Sequence, residues 1–366
     1  VCRNRLSIPF SISFQILSNF IPFKMSATFT SLISTYTTWA ALKTYLTSEE
    51  GGKLSVYEVP DSALAMIRYV KGQSDMTKAH VGAFRSVVWN METNKPVSVT
   101  AFKSETGEGF PALGPSSEIL MEEFVDGVMI GQFWDTATET WRIHTRSMLD
   151  AKCRYFSTRS FAELFHEAVV ATYGVAAPLT DRLDKSVSYT WILQHPENRV
   201  VCPVHKPRIV LVAAYNIDEN AELEEVAAPE GVITPRSYFT KTADAPVGRM
   251  DMSPVLDVIG MVNRQEHDQQ DAGLHGGNPG YVPVDIPGVI SMIASMRGSV
   301  RYQGVVIKDA NQPLKRWKVR SQVYNQVRKM RGNTARRDFL WMDLWSKGGL
   351  EEYLKFFPEE RRPTTD

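Results

Sequence analysis

The chain has 366 residues, 41 Lys and Arg against 41 Asp and Glu, and 43% hydrophobic residues, enough to bury a full core in one large domain with a smaller one. This composition excludes disordered and collagen-like classes. Cys2, Cys153 and Cys202 are too few and too scattered for a disulfide framework or a zinc cluster, so a reducing compartment is expected. Charge is uneven along the chain: no acid precedes Glu49, Asp218 to Glu230 holds six acids, and Lys308 to Arg337 holds ten basic residues against one acid. Only that last segment suggests a polyanionic partner by charge alone.

The opening to Met25 is apolar and Ser-rich, carries Arg3 and Arg5, and is too interrupted by Ser, Gln and Asn to span a membrane. Arg and Ser without acids resemble a mitochondrial transit peptide; a fragment, or a true start at Met25, are the competing readings. Residues 26 to 48 read as a Ser/Thr-rich arm or linker. A helix start is expected at Ser48-Glu49-Glu50, a short strand at Leu54 to Tyr57, and a helix from Asp61-Ser62 through Leu64, Met66, Ile67 and Val70 to Gly72.

Arg85 to Met91 and Pro96 to Phe102 read as two strands around a Thr93-Asn94-Lys95 turn. Lys103 to Gly109 is a polar, Gly-rich loop without Walker spacing. From Glu118 to Arg146 the pattern predicts strand, Asp126-Gly127 turn, strand, Thr-rich turn, strand: an antiparallel meander. Ser160 to Tyr173 has the spacing of an amphipathic helix, and Ser188 to Leu193 and Arg208 to Tyr215 of strands. Asn216 to Gly280 reads as a surface excursion with a helix at Pro254 to Val262; His267 and His275 within it match no metal-ligand spacing. A short helix at Ile290 to Met296, a strand at Tyr302 to Lys308 and helices from Ser321 onward complete the chain.

Taken in order, the Arg85-led strand, the Asp126-Gly127 turn, Ile143-His144-Thr145-Arg146, Pro196 to Val201, Gln303-Gly304-Val305-Val306 and Lys318-Val319-Arg320 resemble the motif series of the covalent nucleotidyltransferases, nearest to the phage RNA-repair ligases. That resemblance covers residues 82 to 325. It implies a lysine attacking the α-phosphate of ATP with Mg²⁺ held by carboxylates, and RNA as partner. It also implies an α+β fold: an antiparallel-rich, two-sheet nucleotidyltransferase core with a small helical C-terminal tail. The expected divisions are an arm or leader over 1–48, the ligase-like domain over 49–325 and a basic, aromatic helical tail over 326–366.

The chemical centre departs from the family pattern. Aligned on Asp126-Gly127, the nucleophilic lysine is Phe124; the glutamate expected seven residues before Arg199 is Ile192; the glutamate of the later motif is Gln303. Glutamine keeps an acceptor oxygen and loses the charge that a metal wants. The cationic parts persist, so Arg85, Asp126, Gly127, Arg146, Gln303, Gly304, Lys318 and Arg320 are the expected nucleotide or phosphate site. The leading expectation is an RNA-ligase-like subunit that binds RNA or nucleotide without self-adenylylation, with a ribonucleoprotein or viral assembly as conjectured setting. Its rival is an active ATP-dependent RNA ligase whose nucleophile has moved, Lys103 being the nearest candidate. A scaffold without nucleotide, its cleft plugged beside Phe124, is the third reading.

Overall fold

The computed structural model describes residues 28–107, 119–175, 178–241, 286–295, 300–309, 312–334 and 336–361. Its strands form three sheets where two were expected, within an α+β architecture. The first is β1 (Ser55–Glu58), β2 (Leu64–Arg68), β3 (Val87–Asn90) and β4 (Lys95–Val99), in that order. The second has the order β11-β10-β9-β7-β8, from Leu223–Glu225, Arg208–Ile217, Val187–Gln194, Val128–Asp135 and Thr140–His144. The third has the order β12-β6-β13-β14-β5, from Ser237–Lys241, Ile119–Glu123, Gly304–Asp309, Gln312–Arg320 and Glu105–Thr106. Among the described strands, the one parallel pairing joins β14 to β5.

The extra sheet exists because the helix expected after Asp61 is strand β2. Leu64, Ala65, Met66 and Ile67 are all buried, and the strand is hydrogen-bonded to β1 on one side and β3 on the other. A continuous apolar run suits a strand covered on both faces, and spacing alone does not separate it from a buried helical turn. Asp61, at φ 55°, turns the chain into it.

Residues expected as an arm or linker form helices α1 (Thr28–Thr35) and α2 (Trp39–Thr47). Phe29, Leu32, Leu42 and Leu46 are buried with Phe84, Trp89 and Phe102. The Thr and Ser hydroxyls that gave the segment its linker look bond back to carbonyls inside the helices, as from Thr44 to Ala40 at 2.8 Å. Ser48, expected to begin a helix, caps the end of α2 through its N–H to the Tyr45 carbonyl.

The expected meander divides in two. Strands β7 and β8 pair, but β6 belongs to the third sheet, so Asp126-Gly127 is a crossover between sheets. Gly127 has φ 152°, and a Cβ there would overlap the Leu193 carbonyl oxygen. The Asp126 carboxylate accepts from the Val201 and Cys202 N–H groups at 2.9 and 2.8 Å and from the Tyr324 hydroxyl at 2.6 Å. Its carbonyl accepts from Gln194 Nε2 at 2.6 Å.

Helix α3 (Phe161–Tyr173) starts on a Ser160–Glu163 capping box and lays Leu164, Phe165 and Ala168 on the second sheet with Trp191 and Leu211. Helix α4 (Ile286–Ser295) begins before the expected Ile290. At the C-terminal end, α5 (Gln322–Arg331), α6 (Arg337–Ser346) and α7 (Leu350–Phe356) pack Val327, Leu344, Tyr353 and Phe357 against Val201 and Cys202. The helix expected at Pro254 to Val262, His267, His275 and Gly109 lie outside the described residues.

His144 ends β8 and is fully buried, its ring over Gly131. Ser98 Oγ lies 2.9 Å from Nε2 and Ser86 Oγ 3.1 Å from Nδ1. Burial pushes its pKa down from 6.5 to about 4, against the hydrogen bond to the Thr145 carbonyl. Between those values the unfolded chain binds a proton that the folded chain refuses, so stability falls as pH drops. The expected loss is about 3 kcal/mol by the bottom of that window. Urea unfolding from neutral to acidic pH should show a steeper decline for the native chain than for His144→Gln; equal slopes would contradict the assignment.

Candidate functional site

Alternation along β14 puts Arg316, Lys318 and Arg320 on one face. Its register against β13 sets Arg320 opposite Gly304, Lys318 opposite Val306 and Arg316 opposite Lys308. Gly304 has φ 145°, and a Cβ there would overlap the Val319 carbonyl oxygen, so only glycine lets the two strands approach this closely. The Phe124 N–H bonds the Gly304 carbonyl at 2.9 Å. The aromatic ring at the family's lysine position therefore lies beside Arg320, whose guanidinium sits 5.1 Å from the Phe124 centroid and 5.5 Å from that of Tyr324.

Two further cations reach this face from elsewhere in the fold. Arg85 precedes β3 and Arg146 follows β8. Burial lowers the Arg85 pKa, Tyr69 opposes the shift, and the charges of Arg316, Arg146 and Arg320 push it further down. Arg146 donates to the Tyr69 carbonyl at 2.7 Å, with its guanidinium 4.5 Å from the Tyr69 ring centroid. Lys318 donates to the Ser104 carbonyl at 2.6 Å. Burial lowers its pKa to about 8, helped by Arg320, Lys103 and Arg85 and opposed by Glu105. Lys103 itself is exposed.

The structure thus gathers Arg85, Arg146, Lys318 and Arg320, as the motif order implies, and leaves them without an ion-pair partner among the described residues. Neighbouring basic groups are neutralised. Lys308 contacts Glu122 at 3.0 Å and Glu225 at 3.2 Å, and Arg316 contacts Glu122 at 3.5 Å. Buried nitrogens remain without partners at Arg146 Nε, Arg316 Nε and Arg320 Nε, as does the Tyr215 hydroxyl. Desolvated like charges with open donors are the arrangement that a multiply charged oxyanion relieves. Phosphate groups fit this donor set.

A divalent metal does not fit it. Among the described residues, no three His, Cys, Asp or Glu side chains come close enough to hold an ion. Ile192 stands in β9 between Met129 and Val210, an apolar wall next to Gly127. Gln303 is buried, its carbonyl accepting from the Ser321 N–H. Asp126, expected at the ligand, spends its carboxylate on the crossover hydrogen bonds and is a structural anchor here. Arg199 turns away as well, onto Glu359 at 2.7 Å and the Phe356 carbonyl at 2.7 Å.

The basic run from Lys308 to Arg337 divides the same way. Arg331 is buried against Glu360 at 2.5 Å, so it holds the C-terminal helices together. Sequence reading missed Arg316, although Arg316-x-Lys318-x-Arg320 at alternate positions of a strand was the available signal. It also missed Arg68, whose pKa burial and Arg146 lower.

No protein-family model matches the chain. An RNA ligase of Rhodothermus phage RM378 is 28% identical over 119 residues, covering 30% of this chain and 26% of that protein. The chain therefore matches about a quarter of that relative's length. Solved structures similar to the chain include form 1 of an archaeal ATP-dependent RNA ligase, at TM-score 0.41 and 11% identity over 92% of this chain and 75% of that one. A putative ATP-dependent DNA ligase from Aquifex aeolicus gives TM-score 0.38 and 12% identity over 87% and 78%. A mutant Naegleria gruberi RNA ligase with ATP and Mn gives TM-score 0.34 and 9% identity over 58% and 52%. Over those 119 residues the chain is similar in sequence to an RNA ligase, in agreement with its motif series.

Because Lys318 loses its proton near pH 8, an anionic ligand held by the four cations should bind more weakly as pH rises through that value. Titration calorimetry with ATP on either side of it should show the decline. Lys318→Arg, which stays charged, should remove the pH dependence, and an unchanged profile in that variant would place the titrating group elsewhere.

Proposed function

We propose that this chain is an RNA-ligase-like protein that holds the phosphates of RNA or of a nucleotide reversibly and forms no covalent lysyl-nucleotide at the family position. The observation that carries this reading is the cluster of Arg85, Arg146, Lys318 and Arg320, none of them in an ion pair among the described residues, with Arg320 against Phe124, a residue with no nucleophilic atom. In the covalent chemistry of ligases, a lysine Nζ bonds to the α-phosphorus as pyrophosphate leaves. Phenylalanine has no lone pair to offer. What remains is binding: charge-assisted hydrogen bonds to phosphate oxygens, strengthened by partial removal from water.

A second reading keeps catalysis with a displaced nucleophile. One observation favours Lys318 over Lys103 for that part: Lys318 is half-buried with a pKa of about 8, whereas Lys103 is exposed. A larger neutral fraction near physiological pH makes a better attacking amine.

Incubating the purified chain with α-labelled ATP or GTP and Mg²⁺ or Mn²⁺, then denaturing it, separates the two. The binding reading expects no label on the protein, and affinity for single-stranded RNA that falls steeply with salt and drops at least ~tenfold in Lys318→Ala/Arg320→Ala. Acid-labile label abolished by Lys318→Arg would instead establish the displaced nucleophile.

A further inference from the structure

The charged face does not stop at Arg320. The Tyr324 ring that flanks Arg320 lies in the first turn of α5, and Arg328 follows it four residues later, one turn along the same helix face. Unlike Arg331, which is consumed by Glu360, Arg328 is half-buried and has no carboxylate partner among the described residues. Its charge acts on Arg320, on Tyr324 and on Tyr155 of the loop before α3.

That loop is fixed to α5. The Tyr155 hydroxyl donates to Asn333 Oδ1 at 3.2 Å, its carbonyl accepts from Asn198 Nδ2, and the next ring, Phe156, lies under the Arg331 guanidinium at 4.1 Å. Tyr155 is thereby held half-exposed, with the exposed side chains of Lys152 and Arg154 just before it in the chain. A fixed aromatic face beside unpaired cations suits a polymer that presents a base and a phosphate at each repeat.

We infer that Arg328 and the Tyr155 ring form a second subsite, continuous with the phosphate cradle, which takes the following nucleotides of a single-stranded RNA. Arg328 donates to a backbone phosphate and Tyr155 stacks a base, with Lys152 and Arg154 adding charge at the exit. This rests on the reading of the cradle as a phosphate site and adds a direction to it: the strand leaves over α5 toward the loop before α3. A mononucleotide ends within the cradle and does not touch this subsite.

Fluorescence anisotropy with ATP and with 5′-phosphorylated single-stranded RNAs of increasing length tests it. In the native chain, affinity should rise with length. Arg328→Ala and Tyr155→Leu should each remove ~tenfold of that gain while changing ATP affinity far less. Tyr155→Phe, which loses only the bond to Asn333, should bind long RNA like the native chain. A gain with length that survives both Arg328→Ala and Tyr155→Leu, with ATP still bound, would overturn the subsite and leave the cradle standing. Failure of the native chain to bind either ATP or RNA would overturn both.

Discussion

The Asp126 carboxylate is the constraint on which the rest of the arrangement depends. Three donors converge on it, two backbone N–H groups from the segment after Arg199 and one phenol from α5. They join the crossover between the two larger sheets to the C-terminal helices. Phe124 lies just before that anchor and Tyr324 supplies one of its donors, so the position of Arg320 between their rings follows from it. Removing the carboxylate would strand three buried donors, each costing about 1–3 kcal/mol. In this fold the Asp-Gly pair is architecture first, and the site is built around it.

The site itself is an electrostatic imbalance that the sheets enforce. Where this chain keeps carboxylates near the face, at Glu122 and Glu225, they pair with Lys308 and Arg316. Arg85, Lys318 and Arg320 have no carboxylate within ion-pair distance among the described residues, and the cations lower one another's pKa. A fold without a ligand for this face would gain from placing an acid or an apolar residue there. The retained charge therefore argues for an anion.

Much of this was legible in the sequence, and the failures have physical causes. Arg85, Arg146, Lys318 and Arg320 were readable because motif order fixes which strand ends meet. For Asp126 a ligand contact and a buried anchor look identical as letters; the bonds from Val201, Cys202 and Tyr324 show its carboxylate engaged in the fold. Strand β2 was misread because Leu-Ala-Met-Ile carries no period that distinguishes a twice-covered strand from a helix. Helices α1 and α2 were hidden by hydroxyl residues whose bonds close within the helix. Net charge treats the basic segment near the C-terminus as a unit, whereas burial divides it residue by residue into ion-paired core, at Arg331 and Lys308, and open site, at Lys318 and Arg320.

A crystal structure of the chain grown with a non-hydrolysable ATP analogue would locate the phosphates. The phosphates should lie within hydrogen-bond distance of Arg85, Arg146, Lys318 and Arg320, with no covalent bond to any lysine and Asp126 still bonded to Val201, Cys202 and Tyr324. A nucleotide bound elsewhere, or Asp126 released to reach it, would contradict a phosphate site at these four cations.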